Sequence, residues 1–318
     1  MDLPEFPYKM PLLNRLFVDA QYLFGLEKRL KGYDIAHVAE TYYGYTIQAL
    51  NAKKRGDIKY VVSTVWENIP HNNEGIWGRK QFKERAYKEV DLFIAVTKQA
   101  KEALVLEGCS SKKIVVIYPG VDLHRFHPVK KSQKSVKHIL FVGRLENSKG
   151  VWDVLHAFET LYRKNSKLKL RLCGSGSQKD ALQKYIDRNL SGCVEVQLAA
   201  YELLPSVYNW ADVVVVASQE TKYWKEQFGM VLIEAMASGV PVIATSSGAI
   251  PEVAGDAALL VTGQKGDTIV DAIEELMSNS KKCQELSSKG RERAVKLFDA
   301  QKTAIQIGEC YNALLKKI

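Results

Sequence analysis

Cysteine is scarce in this chain and follows no pattern. Cys109, Cys173, Cys193, Cys283 and Cys310 are odd in number, scattered, and show neither C-x-x-C nor Cys/His ligand spacing. Reduced thiols and a cytoplasmic protein are therefore expected. Long apolar runs are missing too. No stretch approaches the roughly 18 uninterrupted apolar residues of a membrane-spanning helix, and the opening MDLPEFPYKM has no apolar core of the kind a secretion signal carries. These absences predict a chain that is neither exported nor threaded through a membrane. Repeats of about 20 to 50 residues and low-complexity tracts are absent as well, which sets aside solenoids and disordered tails.

What is present is the balance of a globular protein. The 318 residues are 46% apolar and 25% charged, too many for one ordinary core and suited to two domains of about 150 each with a cleft between them. Lys and Arg number 45 against 36 Asp and Glu, a net charge of +9. That excess favours anionic partners without choosing among nucleotides, nucleic acid and acidic headgroups.

Short β-branched runs alternate with segments of helical period, which predicts βα units on parallel sheets. In the second half the expected strands are His138 to Val142, Leu168 to Cys173, Val194 to Leu198, Val213 to Ala217, Val240 to Thr245 and Ala258 to Val261. Six strands with intervening helices make a complete Rossmann-like domain. The first half offers Asp34 to Val38, Tyr60 to Val65, Leu92 to Val96 and Ile114 to Ile117, preceded by a helical period from about Leu12 to Leu30. Between the halves, PGVDLHRFHPVKKSQKSVK reads as a connection. The expected domains are thus 1–129, 130–297, and a final helix over 298–318 that packs back on the first domain.

In such sheets ligands bind beyond the carboxyl ends of the strands, where loops enter helices. The first strand of the second domain runs into GRLENSKG, placing Gly143, Arg144 and Lys149 ahead of a helix N-terminus. Two cations there suit a diphosphate, although solvated loop cations look the same in a sequence. The next strand ends in CGSGSQKD, where Gly174 and Gly176 would let a ligand approach the backbone. The dinucleotide fingerprint fails, because Lys179 stands at its sixth position. That failure counts against a nicotinamide oxidoreductase.

The third element is EQFGMVLIEA. Glu234 is the only ionisable residue between Phe228 and Ile243, in a segment apolar nearly all round and so expected to be buried. An unpaired buried carboxylate costs several kcal/mol, so Glu234 needs donors, and a vicinal diol supplies two. Glu226, eight positions earlier, lies by the amides of Phe228, Gly229, Met230 and Val231 at the helix start, which can hold phosphate. Cations, glycines and paired glutamates on one sheet edge describe a site for a nucleotide-diphosphate sugar.

By these residues the chain resembles retaining glycosyltransferases of the GT-B fold, family 4 or group 1. The likeness covers about 33–318 and is densest in LFVGRLENSKGVWDVLHAF, KIVVIYPGVDLHRFHP, and the stretch from ADVVVVAS to GDAALLV. It implies an α/β fold of two Rossmann-like domains facing a cleft, the N-terminal one on the acceptor side. It further implies that Arg144 and Lys149 bind the donor diphosphate, Glu226 contacts the transferred sugar, Glu234 binds ribose, and no cofactor or metal takes part. No D-x-D occurs in this chain.

Two departures qualify the likeness. Where many members carry a histidine near the donor sugar, Trp66 stands, with Glu67, Asn68 and His71 as candidates to replace it. The first βα units of the N-terminal domain also look absent, so a reduced lobe is expected, whether natural or from a misplaced start. A nucleotide-sugar-binding partner subunit without turnover is therefore the alternative to an active transferase. The basic segment RKQFKERAYKE is a candidate for peripheral contact with an anionic membrane, or a solvated face with paired charges. The expected partners are a nucleotide-sugar donor and an acceptor of open identity, lipid-linked ones included, with no nucleic acid; a homo-oligomer or partner subunit stays open.

Overall fold

The computed structural model describes residues 22–129, 136–262 and 266–316. The chain divides into two compact units, one of residues up to Tyr118 together with those from Ala304 onward, the other Pro119–Thr303. Both are parallel α/β sheets.

The first unit has a sheet of four described strands, β1 (Ile35–Ala39), β2 (Tyr60–Val65), β3 (Leu92–Ala95) and β4 (Ile114–Val116), paired in that order. Ahead of it α1 (Leu26–Leu30) begins after Gly25, whose φ of +77° breaks the helical period the sequence shows; residues 12–21 of the expected first helix lie outside the described residues. Helices α2 (Gly44–Arg55), α3 (Arg79–Glu89) and α4 (Lys98–Leu106) cover the strands. Their apolar sides meet Val61, Val65 and Phe93 in one core cluster.

The second unit carries six strands, β5 (His138–Val142), β6 (Lys169–Cys173), β7 (Val194–Gln197), β8 (Val213–Val216), β9 (Val242–Thr245) and β10 (Leu259–Val261), in the order β10-β9-β8-β5-β6-β7. The order reverses direction between β8 and β5, which makes the carboxyl ends of those strands the ligand-binding position of a doubly wound sheet. Helices α5 (Val151–Lys164), α6 (Lys179–Asn189), α7 (Leu204–Trp210), α8 (Met230–Ala237), α9 (Ile250–Ala254), α10 (Gly266–Ser278) and α11 (Ser280–Leu297) follow the strands. Strand β8 is buried throughout, as a central parallel strand reading VVVV should be.

The last helix, α12 (Ala300–Leu315), starts in the second unit and ends in the first. There Leu314, with Ile307, Cys310 and Tyr311, packs against Val62, Ile94 and Ile117. Among the described residues no helix is long and apolar enough to cross a membrane.

Candidate active site

Three loops of the second unit are joined by backbone hydrogen bonds beyond the ends of their strands. The Gly143 amide donates to Cys173 O at 3.0 Å, Leu145 to Ser175 O at 2.8 Å, and Gly174 to Gln197 O at 2.8 Å. A Cβ on Gly174 would lie 1.8 Å from Gly143 O, and one on Gly176 2.4 Å from Leu145 O. These glycines therefore serve a purpose the sequence did not disclose. They let the loop after β6 lie directly on the loop after β5, whatever a ligand later does there. Glu146 adds a second tie by accepting from the Ser177 amide at 2.8 Å and hydroxyl at 2.7 Å. Those bonds hold its carboxyl below the ordinary range, with nearby Arg144 contributing a smaller pull.

Gly150 closes the β5 loop in the other direction. At φ +67° its missing side chain leaves room for Ala217 O, which an added Cβ would approach to 2.1 Å. The preceding residue, Lys149, is thereby brought to the end of β8. Its ammonium lies 2.6 Å from Glu226 Oε2 and 4.8 Å from the centre of the Trp224 ring. Ser218 donates to the same carboxylate oxygen at 2.6 Å. So two of the expected site residues, 77 positions apart, form one ion pair. Arg144 is on the same loop and exposed.

The main chain of Glu226 is fixed from the loop after β9. Ala249 donates its amide to Glu226 O at 2.9 Å. Gly248, at φ +50°, admits that oxygen, which a Cβ would meet at 2.1 Å. Downstream of Glu226 and Gln227, Gly229 adopts φ +88° and caps α8, whose first-turn amides, including those of Met230 and Val231, have no partner within the helix. Phe228 is buried with its ring edge-on to Phe298 at 5.9 Å.

Glu234 is buried, as its apolar surroundings predicted. Its partner is internal: the Tyr208 hydroxyl donates to Oε2 at 2.6 Å. Burial raises its pKa above the ordinary value and this bond opposes the rise. A protein hydroxyl thus meets part of the need that the sequence argument assigned to a ligand diol.

In the first unit the replacement candidates Glu67 and His71 are already engaged, and Asn68 Nδ2 lies 3.5 Å from Gln99 Oε1. Glu67 accepts amides of Asn68 at 3.1 Å and Ile69 at 3.0 Å on one oxygen, and the side-chain amides of Asn72 at 2.9 Å and Asn73 at 3.1 Å on the other. His71 is exposed and pairs with Glu74 at 3.1 Å. The Trp66 amide donates to Glu40, a residue the sequence reading passed over. His71, Glu74 and Glu107 gather closely enough to hold a cation. The buried Lys83 ammonium supplies one, pairing with Glu107 and lying 3.4 Å from Glu74. Lys83 and Arg79 turn the basic side of α3 inward, leaving Lys80, Gln81, Glu84 and Lys88 exposed.

Comparison with known proteins decides the family. Residues 124–293 match the profile described as Glycosyl transferases group 1, and residues 2–125 match that of Glycosyltransferase Family 4. The chain belongs to the group 1 glycosyltransferase family. It is 30% identical over 260 residues to a D-inositol 3-phosphate glycosyltransferase of Corynebacterium urealyticum, covering 74% of this chain and 60% of that protein. It is 28% identical to a mannosylfructose-phosphate synthase of Agrobacterium fabrum, covering 64% and 57%. The chain thus spans about 60% of the length of such relatives. In fold it resembles Anabaena HepE, solved with UDP and glucose, at TM-score 0.76 and 19% identity over 90% of this chain and 80% of the other. Sucrose-phosphate synthase of Thermosynechococcus elongatus has the same TM-score of 0.76 at 23% identity, over 100% and 82%. These likenesses make the fold that of GT-B glycosyltransferases.

Sequence reasoning missed Ser218, Trp224, Tyr208, Gly150 and Gly248 in this candidate site. Ser218 and Gly248 carried a faint signal, since each closes the turn after an apolar parallel strand.

Proposed function

We propose that this group 1 family member transfers a sugar, with retention, from a nucleotide-diphosphate donor to a hydroxyl of an acceptor. The observation that carries the reading is the Lys149–Glu226 pair, seated with the Ser218 hydroxyl where β5 and β8 end. Lys149 and Arg144 face the diphosphate and offset the charge that grows on it as the anomeric C–O bond breaks. Glu226 leaves Lys149 to accept hydroxyls of the transferred sugar, with Ser218 keeping its carboxylate in place. The amides at the start of α8 add dipole stabilisation to the phosphates. The acceptor oxygen forms the new bond on the face the diphosphate leaves. Its proton passes to a donor phosphate oxygen, so no side-chain nucleophile and no metal are required. Glu234, oriented by Tyr208, binds the ribose hydroxyls through its remaining acceptor capacity.

The test is nucleotide release. Mixed with UDP-, GDP- and ADP-sugars and acceptor pools, the protein should liberate the free nucleotide, and Glu226→Gln should abolish this. Nucleotide binding without release from any donor would replace this reading with that of a binding subunit.

A further inference from the structure

At the end of the larger sheet opposite Lys149 and Glu226, a cavity of about 410 Å³ opens where β5, β8 and β9 begin. All of its lining residues belong to the second unit, and its volume is in the range of small-molecule sites. One wall is the face of α11 that carries Ser280, Cys283, Gln284 and Ser287, spaced three and four residues apart as a single helical face requires. The facing wall is apolar, with Val136, Val240 and Pro241.

Ser238 supplies the buried part of the lining. It directly follows α8, is 3% exposed, and its Oγ meets no hydrogen-bond partner. A serine at a helix end commonly returns its hydroxyl to a carbonyl one turn back. Here the Ser238 amide alone makes that contact, to Glu234 O at 3.0 Å. The neighbouring carbonyls are served from α11: Ser287 Oγ donates to Gly239 O at 2.5 Å and Arg291 Nη1 to Ala237 O at 2.7 Å. The Ser238 hydroxyl is thus spare, and native interiors rarely leave such a group unpaired. It lines a cavity rather than packed core, so a bound molecule can reach it.

The lining selects against charge. Among the described residues that form it there is no lysine, arginine or histidine, and the Asp212 carboxylate repels an anion. Asp212 Oδ2 already accepts the amides of Lys137 and His138 at 2.9 Å each and lies 3.3 Å from His138 Nδ1. The dipole at the start of α11 disfavours a cation. The Cys283 thiol donates to Leu276 O at 3.2 Å. A hydroxyl in the depth therefore remains for a ligand, with the exposed Ser280 and Gln284 at the mouth and an apolar wall between them.

We propose that this cavity is a ligand site for a small uncharged molecule that carries hydroxyl or carbonyl groups at both ends of an apolar body. One end pairs with Ser238 Oγ, which can donate and accept, and the other reaches Ser280 and Gln284. The site is separate from the one proposed for the donor and does not depend on the transferase reading. Because Ser238 closes α8, an occupant touches the far end of the helix that carries Glu234.

The test uses the full chain with cyclohexanedimethanol as probe, and hydroxymethylcyclohexanecarboxylate and its aminomethyl counterpart as anionic and cationic comparators. Ligand-observed NMR gives the affinities. Peptide mapping follows alkylation of Cys283 by iodoacetamide, with Cys310 of the other unit, also partly exposed, as internal reference. The neutral probe should bind saturably, about tenfold more tightly than either charged analogue, and slow alkylation of Cys283 but not of Cys310. Ser238→Ala should weaken it about tenfold, the size of one buried hydrogen bond. Gln284→Ala, at an exposed position that cannot disturb the core, should weaken it severalfold and decides the matter if the Ser238 variant does not fold. Absence of saturable binding means a cavity filled by water only and overturns the proposal. So do equal affinities for the three probes, wild-type affinity in a folded Ser238→Ala, or equal slowing at Cys310. Nucleotide release from sugar donors is decided separately from all of these.

Discussion

Lys149 Nζ stands 2.6 Å from Glu226 Oε2, a pair joined by Ser218 and roofed on one side by Trp224. Two groups that the proposed chemistry assigns to different parts of the donor thus hold each other. Their separation on donor binding is therefore a step with its own cost, and each group protects the other from being a lone buried charge.

Removing only the cation should show this. Lys149→Met deprives the buried Glu226 carboxylate of its cation, and since the two side chains are 20% and 12% exposed the loss is expected at about 1–3 kcal/mol, below that of a fully buried pair. Adding Glu226→Gln to that variant should recover most of it. Urea titrations of both single variants and the double give the coupling; additivity of the two single losses would count against a stabilising pair.

Tyr208 and Glu234 make a similar pair without a cation. Tyr208→Phe removes the hydroxyl 2.6 Å from Glu234 Oε2 and should cost about 1–3 kcal/mol. It also deletes the bond that opposes the burial-driven rise of the Glu234 pKa. The variant's deficit should therefore be smallest in acid, where the carboxyl is protonated in both states, and grow as pH rises through the folded-state value. A deficit independent of pH between 4 and 8 would mean that the carboxylate does not need this donor.

The stability of the whole chain should carry a Glu40 signature. Burial raises its folded pKa to about 8, above the ordinary carboxyl value of 4.5, and its Oε2 meets no hydrogen-bond partner. The sign follows directly: the folded state holds the proton more tightly, so the contribution is fully present below pH 4.5 and is lost as pH climbs to about 8. Glu40→Gln, which cannot ionise, should gain on the wild type by a few kcal/mol across that window. Chemical denaturation at pH 5 and pH 8.5 checks it, and parallel stabilities at the two pH values would contradict it.

How far the sequence reveals these features depends on what each residue faces. The strands of the second unit are legible because buried parallel strands read as unbroken apolar runs, as Val213–Val216 does. Helix Gly44–Arg55 escapes that reading because its buried side includes Thr46 and Gln48 beside Ala49 and Leu50, so its period is blurred. Arg144, Lys149, Glu226 and Glu234 are visible as charges at unusual places in otherwise apolar or glycine-rich segments. Tyr208 and Glu40 are not, because a tyrosine in LPSVYNW and a glutamate after a strand look ordinary until the partner, or its absence, is known. Gly174 and Gly176 are visible only in part: a glycine's missing Cβ says that something comes close, and the fold adds the Gly143 and Leu145 carbonyls.

Glycines of the same loops should respond differently to an added methyl. Gly174→Ala forces a Cβ to within 1.8 Å of Gly143 O, whereas a Cβ on Gly143 itself would find nothing nearer than 3.8 Å, both having positive φ. The Gly174 variant should separate the β5 and β6 loops, lowering the melting temperature by several degrees more than Gly143→Ala and weakening nucleotide binding with it. Arg144→Ala supplies the opposite control. The guanidinium is exposed, so its loss should change stability by no more than the roughly ±0.5 kcal/mol expected of a surface substitution, yet cut nucleotide release by about a hundredfold if it carries diphosphate charge in the transition state. Thermal melts and initial rates on the three variants separate a loop that must be built from a charge that must be present. Equal melting losses for Gly174→Ala and Gly143→Ala, or full activity of Arg144→Ala, would reject the corresponding expectation.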